Sequence, residues 1–407
     1  MTPSVLVTDG GERAALAVVR SLARAGYVVH VASCRAPSIA GSSRHAASDV
    51  EVSDPLRVPE AYARDVIEHA ERVGVDAVLP ITEASLLSLL PHRERLGRAA
   101  MMFPDPASFR AICDKGRVFE VAREIGIRVP DERVMLDPRD ADVLSAVDCP
   151  VVLKPSRSVV SAGGIRHKLA VGYAADRHEL ERLVEELPAS AFPLHLQQRV
   201  EGPGVGVFLL LERGGIQCRF AHRRIREKPP SGGVSVYRES VPLDPDLLDR
   251  SRCLLERFDW RGVAMVEYKL EAASGVPYLM EVNGRFWGSL QLAIDAGVDF
   301  PRHLVGPAFG EDLDPVRTYR IGVRSRWLWG DLDHLIARLR HSRATLHLPE
   351  GTPGRLRAIA AFLAGFVQGR EEVFRLDDPM PGLRETLQWF QDLSRRRKGP
   401  RSEREVA

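Results

Sequence analysis

Apolar positions in the first quarter of the chain switch between two periods. Val5 to Thr8, Val28 to Ala32 and Val75 to Pro80 are short apolar runs that read as strands, while Arg13 to Ala25 and Pro59 to Val73 carry helical spacing. Strands alternating with helices of this length predict βαβ units and a parallel sheet. The turn after the first strand, Asp9-Gly10-Gly11-Glu12, lacks the full G-x-G-x-x-G spacing. It reads as a tight strand-to-helix turn, and a dinucleotide-dependent oxidoreductase would rest on it alone.

Further along, a helix is predicted over Pro106 to Ile125, stopped by Gly126 with Pro130 beyond. Val151 to Lys154 reads as a strand, Ser156 to Gly164 as a Ser/Gly-rich loop, Arg177 to Leu187 as a helix and His195 to Val200 as a strand. Val205 to Leu211 and Gln217 to Ile225 form a hairpin about Gly214-Gly215, and Asp244 to Phe258 is a helix with Leu247, Leu248, Leu254, Leu255 and Phe258 on one face. Beyond Pro315 the pattern turns helical and arginine-rich, with Trp327, Leu328, Leu332, Leu335 and Leu339 at amphipathic spacing. Arg395 to Ala407 is polar and charged, which predicts a disordered tail.

The segment Gly262 to Gly288 carries the clearest chemistry. Two alternating runs flank the turn Ala272 to Gly275, so residues that pair across a hairpin centred on Ser274 place Glu267 opposite Glu281. Period-two alternation puts Ala264, Val266, Tyr268, Leu270, Tyr278, Met280 and Val282 on a core face. Glu267, Lys269, Glu281, Asn283 and Arg285 fall on the other face. Facing carboxylates destabilise a strand pair, so a cation belongs between them. Two glutamates and an asparagine are hard oxygen donors suited to magnesium bridged to phosphate, and Arg285 can fork onto a phosphate or carboxylate.

Composition narrows the class. With 407 residues, 44% hydrophobic and 28% charged, the chain has enough for two or three modules with buried cores. A formal net charge of +2 gives no global field for nucleic acid or an anionic membrane. Cys34, Cys113, Cys149, Cys218 and Cys253 are scattered and read as reduced, buried thiols of a cytoplasmic protein. The N-terminus shows no signal sequence, and the apolar run Ala358 to Val367 is too short for a bilayer, which takes about 20 residues, and reads as a buried helix. Basic residues are mostly arginine. The lysines are Lys115, Lys154, Lys168, Lys228, Lys269 and Lys398, which makes each compact ammonium worth placing.

Glu281-Val282-Asn283-Gly284-Arg285, with Glu267 on the preceding strand, resembles the metal and catalytic signature of the ATP-grasp superfamily, which includes biotin carboxylase, D-alanine ligase and the large chain of carbamoyl-phosphate synthase. The likeness extends over roughly residues 1–310. Asp114-Lys115 resembles the family's phosphate-reaching lysine, and Val151 to Pro155 the strand whose Lys154 contacts the nucleotide. The loop with Ser161, Gly163 and Gly164 resembles the one that closes over the phosphates. Gln198-Arg199-Val200-Glu201 resembles the segment whose backbone holds adenine; Pro203 replaces an expected ribose-binding acid, a part Glu201 would take. In the basic segment Arg219 to Lys228, where His222, Arg224, Arg226 and Lys228 share a strand face, Arg224 matches an active-site cation of biotin carboxylase.

The resemblance implies an α/β chain of this layout: a Rossmann-like pre-ATP-grasp domain (1–107), the two ATP-grasp lobes (108–190 and 191–312), a helical C-terminal extension (313–394) and the tail (395–407). It implies an ADP-forming ligase that activates a carboxylate as an acyl-phosphate and couples it to an amine. The metal would be magnesium, or manganese in its place, on Glu267, Glu281 and Asn283, with Arg285 and Arg224 catalytic. The implied partners are ATP and small-molecule carboxylate and amine substrates, without nucleic acid or membrane, in a chain compatible with a homodimer. A carboxylase using bicarbonate and a non-catalytic ATP binder remain as alternatives.

Overall fold

The computed structural model describes residues 2–398. Strands Ser48–Glu51, Val28–Ser33, Ser4–Val7 and Ala77–Leu79 form, in that order, a parallel sheet in the first domain. Its strands bury Leu6, Val7, Val31 and Val78 completely, as two-sided burial of a parallel sheet requires. The helix Pro59–Val73 ends on Gly74 at φ 72°, the left-handed cap that glycine supplies without a Cβ clash.

The helix expected over Pro106 to Ile125 is two helices, Pro106–Ile112 and Lys115–Glu124. The break has a tertiary cause. The Lys115 amide donates to the Ser156 carbonyl at 2.9 Å, and the Asp114 carboxylate accepts from the Arg117 amide at 3.2 Å as a new N-cap.

A small antiparallel sheet follows, ordered Glu132–Met135, Leu194–Gln198, Val151–Pro155 and Gly172–Ala174. With the helix Arg177–Glu186 it closes over its own core of Val151, Leu153, Leu180, Val184 and Leu196, separate from the main one. The Ser156 to Gly164 segment is not an open loop. Val159–Ala162 pairs with Ile165–Lys168 as a hairpin, and Gly163 and Gly164, both at positive φ, make its turn.

The third sheet has seven strands, in the order Pro277–Asn283, Gly262–Leu270, Gly204–Glu212, Gly215–Lys228, Val234–Ser240, Arg324–Arg326 and Arg370–Glu371. Its core is continuous with that of the first domain. The C-terminal region supplies the helices Leu328–Arg340, Arg355–Gln368 and Met380–Lys398, and its two short strands complete this sheet. Residues 395–398, expected in the tail, extend the last helix; the rest of the tail, 399–407, lies outside the described residues.

The run Ala358 to Val367 is helical but not buried. Leu363 and Val367 are 58% and 90% exposed, because this helix lies on the surface with Phe362 and Phe366 covering the Arg326 guanidinium. Among the described residues no helix is long and apolar enough to cross a membrane. All five cysteines are free thiols; Cys218 is buried as expected, whereas Cys34 is exposed.

A buried ion network ties residues 372–378 to the helix Arg13–Arg24 and to the seven-stranded sheet. Arg20 of the first domain donates to Asp378 at 2.8 Å and to the carbonyls of Glu372 and Val373 at 2.9 and 2.8 Å. Glu372 pairs with both Arg13 and Arg238.

Candidate active site

The register read from the sequence holds where it matters. Met265 pairs with Asn283, Val266 with Val282, and Glu267 with Glu281. Beyond that point an irregularity shifts the pairing, so Tyr268 faces Leu279. Met280 therefore leaves the core face assigned to it and meets the Lys154 ammonium, 3.9 Å from its sulfur, while Leu279 takes the wholly buried place. An extra residue on one strand of an antiparallel pair re-aims side chains in this way.

Glu281, Asn283 and Arg285 line one pocket with Lys115 and Ser158. The Asn283 amide donates to Glu281 at 2.8 Å, and Arg285 donates to the Asn283 oxygen at 3.0 Å and to the Phe286 carbonyl at 2.9 Å. Lys115 reaches the Ser158 hydroxyl at 3.1 Å. Gly284 between them is a packing requirement, since a Cβ there would stand 2.3 Å from the Trp260 ring.

Glu267 is held by Arg224, which also donates to Glu227 at 2.8 Å and to the Gly233 carbonyl at 3.1 Å. Gly204 leaves room for that crossing; a Cβ there would sit 2.9 Å from the Arg224 side chain. His222 and Arg224 are two apart on one strand, as expected, but pairing irregularities between Arg224 and Glu227 turn Arg226 and Lys228 elsewhere. They bind Asp331 and Asp333 on the helix Leu328–Arg340 instead.

The two facing carboxylates sit in different electrostatic surroundings. Burial, helped by Glu281 and Glu227, pushes the Glu267 carboxyl up to about 7 against the pull of Arg224. Burial would raise Glu281 as well, but Lys115, the Asn283 amide and Lys154 more than offset it and hold it below its ordinary value. Burial brings the Lys154 ammonium down to about 8 against the nearby Glu281. Among the described residues no group of three or more His, Cys, Asp or Glu is placed to hold a metal. Two facing carboxylates and the Asn283 oxygen are a partial oxygen set, and such a set fits magnesium, which takes one or two carboxylates and completes its shell with water and substrate phosphates.

The remaining expected residues are placed less centrally. Ser161, Gly163 and Gly164 are exposed at the hairpin turn. Gln198 is exposed at a strand end, Val200 is buried with its carbonyl 3.4 Å from the Lys269 ammonium, and Glu201 is exposed. The Glu201 carbonyl accepts from the Ala272 amide, tying this segment to the hairpin turn.

Glu83, from the first domain, lines the same pocket and was not anticipated. Burial pushes its carboxyl above the ordinary value, against Arg285 and Lys115. The available signal was its place at the start of the helix Glu83–Leu89, just after a strand of a parallel sheet, the edge where sites of open α/β folds collect.

Residues 193–329 match the family model described as "ATP-grasp in the biosynthetic pathway with Ter operon". A putative urea carboxylase of Emericella nidulans is 23% identical over 270 residues, spanning 61% of this chain and 21% of that protein. Two solved structures superpose over most of the chain. L-amino acid ligase from Bacillus licheniformis has a TM-score of 0.60 at 17% identity, covering 77% of this chain and 75% of that one. The biotin carboxylase domain dimer of Hydrogenobacter thermophilus 2-oxoglutarate carboxylase, in complex with MgADP, ADP and bicarbonate, has a TM-score of 0.59 at 18% identity over 80% and 73%. The chain has the ATP-grasp fold.

Proposed function

We propose that this ATP-grasp chain is an ADP-forming ligase that converts a carboxylate to an acyl-phosphate and transfers the acyl group to an amine. The observation that carries the reading is the facing pair Glu267 and Glu281, with Asn283 and Arg285 beside them and Lys115, Lys154 and Arg224 converging from other elements. A cleft that gathers cations around two carboxylates suits a polyphosphate and its metal. Phosphoryl transfer asks the protein mainly for positioning and charge neutralisation.

In the first step a carboxylate oxygen attacks the γ-phosphorus of ATP, and the bond to the bridging oxygen breaks with its electron pair on ADP. In the second, the amine nitrogen attacks the carbonyl carbon, phosphate leaves with the C–O bonding pair, and the nitrogen gives up a proton. Lys115 and Lys154 would hold the phosphates, while Arg285 and Arg224 would stabilise the transferring phosphoryl group and the tetrahedral oxyanion. Val200 and its neighbours would hold the adenine edge, with the Gly163-Gly164 hairpin turn over the phosphates. Magnesium, held by Glu267, Glu281 and Asn283, would neutralise phosphate charge when bound. Arg224 and Lys154 would then be freed from their present carboxylate neighbours.

The bicarbonate in the Hydrogenobacter complex and the carboxylase relative support a second reading, in which bicarbonate is the carboxylate and carboxyphosphate the intermediate. The deciding experiment is ADP and phosphate release from MgATP against pooled carboxylates and amines, with mass spectrometry of products. Release that needs both pools and yields a condensed product supports the ligase. Release driven by bicarbonate alone replaces it with the carboxylase. ATP binding without release in any pool overturns both.

A further inference from the structure

We propose that Lys269 binds the sugar of the nucleotide, donating from its ammonium to a ribose hydroxyl where the loop acid is replaced by Pro203. This rests on the ATP-dependent ligase reading and adds a residue that selects a ribonucleotide.

The strand Gly262–Leu270 sets the position. It pairs regularly with Gly204–Glu212, Glu267 against Gly206 and Lys269 against Gly204. Alternation therefore keeps Glu267 and Lys269 on one face, about 7 Å apart along the strand, with Tyr268 between them wholly buried on the other. On its far side Lys269 meets the segment proposed for the adenine edge, its ammonium 3.4 Å from the Val200 carbonyl. The residues after Val200 are clamped to the same strand end. The Leu270 amide donates to the Pro203 carbonyl at 3.1 Å, and the Ala272 amide donates to the Glu201 carbonyl at 2.8 Å. The approach is close enough to require glycine at position 202, where φ is 148° and a Cβ would stand 1.7 Å from the Leu270 oxygen. Lys269 thus lies between the base edge and the carboxylates proposed for metal and phosphates. In a nucleotide the group between base and phosphates is the ribose.

The ammonium is poorly served by the protein. Lys269 is partly buried, and among the described residues it has no ion pair and one acceptor, the Val200 carbonyl, at a distance beyond the usual span of about 2.7–3.2 Å. The cations beside it are engaged, Arg224 by Glu267 and Glu227, and Arg199 by the His347 carbonyl. Glu201, the other candidate for the sugar, is half exposed and lies 3.9 Å from the Arg199 guanidinium. A ribose oxygen would supply Lys269 with the acceptor it lacks.

The test is calorimetric titration of the full chain with the magnesium complexes of ADP, 2′-deoxyADP and 3′-deoxyADP, which bind without turnover. Wild type is compared with Lys269→Met, which keeps the stem and removes the donor, and with Lys269→Arg, which keeps charge and donors. A charge-assisted hydrogen bond predicts that wild type prefers ADP to one of the deoxy analogues roughly 10- to 100-fold. Lys269→Met should bring that preference to within about twofold, and Lys269→Arg should retain part of it. Weakening of all three ligands by the same factor in Lys269→Met would give the ammonium a general charge role and overturn the inference. An undiminished preference in that variant would overturn it, as would a wild type that does not distinguish ADP from either analogue. In each of these cases ADP still binds and the ligase reading stands. A wild type that binds none of the three removes that reading, and this inference with it.

Discussion

Glu281→Gln separates a site residue from a structural one, because the structure predicts opposite outcomes for chemistry and stability. The substitution keeps an oxygen that can accept from the Asn283 amide, now 2.8 Å from Glu281. It removes the like charge facing Glu267, a cross-strand repulsion of about 0.2–1 kcal/mol, and gives up attraction to Lys115 and Lys154. These terms oppose each other, so the change in unfolding free energy is expected within about 1 kcal/mol of zero in metal-free buffer. Turnover has no such offset. Losing one charge-stabilising group at the reacting phosphoryl costs about 3–4 kcal/mol, or a fall in kcat of roughly 10²–10³. The assay pairs urea unfolding, followed by far-UV circular dichroism, with single-turnover ADP release. A variant that unfolds like wild type and turns over within about threefold of it would refute the reasoning. A drop in stability of about 3 kcal/mol would show instead that Glu281 is a structural ion-pair partner.

Three further outcomes follow from other features. Glu372→Ala should destabilise the protein by about 3–5 kcal/mol in urea melts, because Arg13 and Arg238 lose their shared buried partner; the double variant Arg238→Met, Glu372→Leu should recover the share due to Arg238. The Lys154 ammonium, down at about 8 through burial, releases its proton in the folded state before it does in the unfolded chain. Between about pH 8 and 10.4 the unfolded state therefore binds more protons and stability rises with pH, by up to about 3 kcal/mol; Lys154→Met should lack that rise, and a parallel slope in both proteins counts against it. Asp9→Ala leaves the Ile81 and Thr82 amides and the Ser85 hydroxyl without their shared acceptor, so urea melts should show a loss of about 2–3 kcal/mol, and an unchanged melt counts against it.

Much of the site was readable because it depends on local pairing. The turn at Ser274 fixes the hairpin register, and that register alone brings Glu267 against Glu281. The parallel first sheet was equally plain in its alternation of strands and helices. What escaped depends on long-range contacts. Nothing near Cys113 announces a helix break that comes from a carbonyl at Ser156. The alternation rule misplaced Met280, Arg226 and Lys228 because each follows a pairing irregularity, and one extra residue inverts every later side chain. The Ala358 to Val367 run looked like core because periodicity reports apolar content, not whether a neighbour arrives to cover it. Glu83 required knowing that one domain leans over another's pocket.

The clasp formed by residues 372–378 bears on how freely this chain can be cut and recombined. A boundary at residue 312 looks natural from the signature motifs. Yet Arg20 has all its partners at Glu372, Val373 and Asp378, and Arg238 has its carboxylate at Glu372. A truncated protein would strand two guanidinium groups that are almost wholly enclosed. The C-terminal region therefore travels with the lobes in any chimera: exchanging the first 312 residues with those of another ATP-grasp protein would import a foreign set of arginines onto a clasp cut for these.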